Sequence, residues 1–118
     1  MEYLLLIYID NDPDAQGAPT EEWSNYTQEL VDSGSMVGGD PLQPTDTATT
    51  VRTQGGDTLT TDGPFAETKE WLAGYYKIDV DTLDEAIEWA GRIPSVKYGG
   101  SIEVRPIMPM PAEAPSSP

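Results

Sequence analysis

Apolar residues open the chain in an unbroken run, Tyr3 to Ile9 within MEYLLLIYID, and a turn-rich polar stretch, Asp10 to Pro19, closes it. A strand that is apolar at every position is buried on both faces, so it belongs in the middle of a sheet covered on both sides. From Thr20 the period becomes helical. Thr20 is placed to cap a helix, Glu21 and Glu22 suit its first turn, and Trp23, Tyr26, Leu30 and Val31 share one face before Gly34 stops it. After a glycine-rich connection, Ala48 to Thr53 and Thr58 to Thr61 read as two threonine-rich strands. Gln54-Gly55-Gly56-Asp57 is a good hairpin turn between them.

A fourth strand is predicted from Leu72 to Val80, with Tyr76, Ile78 and Val80 on one face and Tyr75, Lys77 and Asp79 on the other. Thr82 and Glu85 form a capping box for a second helix, whose buried stripe is Leu83, Ala86, Ile87, Ala90 and Ile93 and whose end is marked by Pro94. Ser101 to Arg105 is the final strand. The order is an α+β, ferredoxin-like βαββαβ pattern with an extra hairpin strand, an antiparallel sheet carrying two helices on one face. Two helices cover one face only, yet the first strand is apolar on both. A second copy of the chain is the economical cover for the other face, so a homodimer is expected. The domain is expected to span residues 1–107. The proline-rich tail, 108–118, has too little apolar surface to order itself.

Composition narrows the function classes. A chain of 118 residues holds one core. Its 21 acidic residues against 6 basic ones, a net charge of −15, argue against nucleic acid and against an anionic membrane surface as partners. There is no cysteine and no histidine, which excludes disulfides, a Ser-His-Asp triad, a zinc hydrolase and a His-ligated iron site. The apolar N-terminal run lacks a basic flank and a cleavage site, and is far shorter than the about 20 residues of a spanning helix, so a cytoplasmic location is expected. Gly38-Gly39 and Gly99-Gly100 lack the spacing of a phosphate loop, and no cofactor is indicated.

The densest group of ionisable residues is Asp62-Gly63-Pro64-Phe65-Ala66-Glu67-Thr68-Lys69-Glu70. Pro64 can hold Asp62 rigidly at a bend, and Phe65, the sole phenylalanine, is expected to anchor the loop in the core. Without histidine, Asp62 or Glu67 is the candidate proton-transfer group, with Arg52, Lys69 and Tyr76 as candidates to hold a ligand. Turn formation explains the same residues without any chemistry. Asp10, Asp12, Asp14 and Glu21 partly match a calcium loop, but Ala15 stands where the sharp turn needs glycine, and no metal site is expected. The six tyrosines and three tryptophans suit a core or interface better than a ligand pocket.

With DGPFAETKE, GYYKIDVDTLDEAIEWAGRIP, LVDSGSMVGGDPLQPTDTATTVR and YGGSIEVRPI in view, the sequence resembles the YCII-related family, DGPF-motif subgroup, over nearly its whole length. The resemblance implies a dimeric α+β barrel, two ferredoxin-like sheets facing one another. Some YCII-type members carry a histidine–aspartate pair in a cleft, which has no counterpart in a chain without histidine. The resemblance also implies a setting in bacterial signalling beside extracytoplasmic-function sigma factors. The leading expectation is a regulatory or small-molecule-binding dimer with its cleft beside the DGPF loop. The alternatives are a small enzyme using carboxylate acid-base chemistry at that loop and a protein-interaction module.

Overall fold

The computed structural model describes residues 1–12, 17–65 and 68–110. Strands β1 (Glu2–Asp10), β2 (Met36–Pro41), β5 (Glu70–Asp79) and β6 (Ser101–Pro106) form one antiparallel sheet in the order β2-β5-β1-β6. Helices α1 (Thr20–Asp32) and α2 (Leu83–Gly91) complete a ferredoxin-like α+β fold. Strands β3 (Thr49–Gln54) and β4 (Asp57–Asp62) pair only with each other.

The central strand behaves as its sequence requires. Tyr3, Leu5 and Ile7 are buried, beside Tyr76 and Ile78 of β5 and the half-buried Ile102 and Val104 of β6. Tyr26 and Leu30 of α1 close this core from above, and Ala86 and Ala90 let α2 approach closely. Tyr26 ties the layers together: its hydroxyl donates to the Trp89 carbonyl at 2.8 Å, and its ring meets Tyr76 edge-on at 5.3 Å. The opposite face of β1 presents Leu4, Leu6 and Tyr8, which are half-buried and lie under no helix.

Three expectations need correction. The second ferredoxin strand is β2, in what the sequence presented as a glycine-rich connection. Its Gly39 and Gly74 of β5 are required where the strands meet, because a Cβ at Gly39 would stand 2.7 Å from the Tyr75 carbonyl oxygen. Low β-propensity hid a strand that its pairing specifies. The threonine-rich hairpin, correctly placed with Gly55 and Gly56 at φ 60° and 87°, stands outside the sheet as an arm, exposed along its length except at the half-buried Thr50. Phe65 is 77 % exposed rather than a core anchor, because it lies at the base of this arm, away from the sheet.

Smaller differences have local causes. Pro19, not Thr20, precedes α1, and the Pro19 carbonyl accepts the Glu22 and Trp23 N–H groups at 3.0 and 3.4 Å. Thr82 does cap α2, its hydroxyl accepting the Glu85 N–H at 3.2 Å. Leu83 and Ile87 are about half exposed, since the buried line along α2 runs through Ala86 and Ala90 to Ile93.

Candidate functional site

Glycine and short side chains decide where this fold is hollow. Between α1 and the β2–β5 edge of the sheet, the sheet offers Gly39, Ala73 and Gly74, while the helix offers Thr20, Ser24 and Thr27. None of these is long enough to fill the gap, and a cavity of about 700 Å³ results. Trp23, Val31, Met36, Ile7 and Ile9 supply apolar walls. Tyr76 adds the principal buried polar group: its hydroxyl and that of Thr27 lie 2.6 Å apart. Burial raises the Tyr76 phenol above its ordinary value, and the bond to Thr27 acts in the opposite direction.

Asp40 and Tyr75 also border the cavity, at the sheet edge. They are direct partners in register on the strand positions that face away from α1, and the Tyr75 hydroxyl donates to the Asp40 carboxylate at 2.7 Å. That bond is the leading cause of the raised Tyr75 phenol. The hydroxyls of Tyr76, Thr27 and Tyr75 and the Asp40 carboxylate can bind and orient a molecule through hydrogen bonds.

Those of the residues singled out in the sequence that are described do not converge. Asp62 ends β4 opposite Thr49, whereas Arg52 of β3 lies opposite Leu59, which puts the two on opposite faces of the hairpin. Asp62 is exposed, with no hydrogen bond or ion pair to its carboxylate among the described residues. The Arg52 guanidinium covers the Phe65 ring at 4.9 Å. Lys69 is exposed just before β5, where its carbonyl accepts the Asn11 N–H at 2.7 Å. Glu67 lies outside the described residues, as do Asp14 and Ala15 of the calcium-like stretch. Of the four candidates among the described residues, Tyr76 alone lines the cavity. No group of three or more acidic side chains among the described residues is placed to hold a metal.

Sequence reading missed the cavity itself. A pocket made by small residues leaves no motif. Only the glycines of β2 and β5 signalled that something close-packed or deliberately empty lay there.

A model of the YCII-related domain family matches residues 1–111, which include every strand and helix above. The chain belongs to the YCII-related family. A protein of Rhizobium meliloti (strain 1021), itself described as uncharacterized, is 37% identical over 124 aligned residues, covering 98% of this chain and 100% of the relative. The likeness is therefore to a whole protein of the same build, and it brings no activity with it. No helix among the described residues is long and apolar enough to cross a membrane.

Proposed function

We propose that this YCII-related chain is a homodimer that binds a small molecule in the cavity beneath α1. The observation that carries the proposal is the cavity: its volume, about 700 Å³, is that of an ordinary small-molecule site, and its walls are apolar with a few convergent hydroxyls. The binding place moves from the DGPF loop to the space lined by Tyr76 and Thr27. Carboxylate chemistry at Asp62 draws no support from an exposed side chain that has no ion pair among the described residues.

Two features favour pairing with a second copy. Copies of a chain with net charge −15 repel unless the contact surface is locally balanced. The bare sheet face offers such a surface, with Leu4, Leu6 and Tyr8 flanked by Lys77 and Arg105 as well as Glu2 and Glu103. Lys77 and Glu2 already pair there at 3.5 Å. The arm is the second feature. A two-stranded hairpin is marginal alone in water, and this one exposes Val51 by 62% and Leu59 by 44%. A second copy supports both features at once. A binding dimer also suits the regulatory role in bacterial signalling that the family resemblance implies.

Native mass spectrometry of protein purified from its own source tests the proposal. Two chains carrying additional small-molecule mass are expected. A bare single chain at micromolar concentration would overturn it.

A further inference from the structure

The cavity reading above leaves open what charge the bound molecule carries, and the six basic residues answer it. All six lie among the described residues. Arg52 is stacked on Phe65 in the arm, and Lys69 is exposed before β5. Lys77 and Arg105 belong to the bare face of the sheet, as their partners in β1 show. Arg92 pairs with Glu29 and Lys97 with Glu22. None lines the cavity.

An anion entering the cavity therefore meets no counter-charge, inside a chain whose net charge is −15. The N-terminus of α1 does reach the cavity at Thr20, but Glu21 and Glu22 in the same turn already answer the helix dipole. A cation fares little better. Among the described residues, the one carboxylate that lines the cavity, Asp40, is held by the Tyr75 hydroxyl on the far side of the sheet edge. Desolvating a charge without a partner is among the costliest steps in binding. The Tyr76–Thr27 pair, by contrast, has capacity left. Two hydroxyls that share one bond retain one O–H and several lone pairs, which match a hydroxyl, carbonyl or amide group.

We infer that the cavity takes an uncharged small molecule with a largely apolar body and an oxygen-bearing group that hydrogen-bonds the Tyr76–Thr27 pair. Calorimetric titration of the full chain near neutral pH with four probes of one shape tests this: naphthylmethanol, methylnaphthalene, naphthoate and naphthylmethylamine. The alcohol should bind about tenfold or more tightly than the anion or the cation. Tyr76→Phe should weaken the alcohol and leave the hydrocarbon unchanged, and Thr27→Val serves the same purpose if Tyr76→Phe does not fold. Val31→Lys, at a side chain 49% exposed on the cavity wall, should raise naphthoate affinity selectively. Naphthoate or the amine binding as tightly as the alcohol overturns the inference while leaving the cavity reading intact. Equal binding of alcohol and hydrocarbon, unmoved by either hydroxyl variant, overturns the role of the Tyr76–Thr27 pair. Failure of all four probes to bind overturns the cavity reading and this inference together.

Discussion

Replacing Gly39 by alanine should damage both the fold and the cavity, although Gly38 beside it should tolerate the same change. A Cβ at Gly39 stands 2.7 Å from the Tyr75 carbonyl oxygen and 3.0 Å from the Tyr76 ring. At Gly74 it stands 2.8 Å from the Asp40 carbonyl oxygen and 3.1 Å from the Pro41 Cα. Each pair of obstacles includes backbone, so relief means moving β2 away from β5 by about half an ångström or more to restore ordinary contact. Overpacking of this kind costs about 1–3 kcal/mol. For a chain of 118 residues that is a fall in Tm of about 4–12 °C. At Gly38 nothing lies within 4 Å, and alanine there should stay within about 0.5 kcal/mol of the parent. Urea unfolding and thermal melts of Gly38→Ala, Gly39→Ala and Gly74→Ala measure the difference. Naphthylmethanol affinity should drop in the second and third, because β2 forms one wall of the cavity. Equal stability of Gly38→Ala and Gly39→Ala would refute the register of β2 against β5, including the irregularity between Met36 and Gly38.

Other outcomes follow from single contacts. Leu6→Glu places a charge at the centre of the bare sheet face; light scattering should report one chain instead of two, with affinity reduced about 100-fold or more, because an unpaired charge at a contact costs about 3–5 kcal/mol. An unchanged mass would move the contact elsewhere. Burial raises the phenols of Tyr26 and Tyr76 above the ordinary 10.0, so their contribution to stability is complete below that value and is lost as pH rises through the folded-state values. The urea midpoint should therefore hold up to about pH 9 and fall as the pH rises past about 10, less steeply in Tyr76→Phe; a flat profile above pH 10 contradicts the burial of these hydroxyls. Thr82→Ala removes the hydroxyl that caps α2 and should cost about 1 kcal/mol, read as a lower Tm; no loss would mean that the cap is idle.

The parts of the fold that periodicity writes into the chain were legible from it. β1 announces burial by its unbroken apolar run, β5 and β6 alternate, and α2 carries its cap at Thr82. What escaped was specified by absence. β2 is a strand because Gly39 and Gly74 let two backbones meet, and glycine in a sequence argues for turns instead. The hairpin was legible as a local unit, yet alternation gives no sign of whether a ribbon joins the sheet or stands clear of it. The charged DGPF stretch drew notice because ionisable residues are visible, whereas the cavity is formed by Ser24, Thr27, Ala73 and Gly74, which carry no signal until the helix is laid over the sheet. Tyr76 was named as a ligand contact beside that loop; its partner is Thr27, on the helix.

The most direct test is the place of binding. Intermolecular nuclear Overhauser effects between naphthylmethanol and the protein should reach the methyl groups of Thr27, Val31 and Met36 and the Trp23 indole, the side chains that line the space under α1. Effects confined to Leu59 and Phe65 on the arm, or to Leu4 and Leu6 on the bare sheet, would contradict a binding site in that cavity.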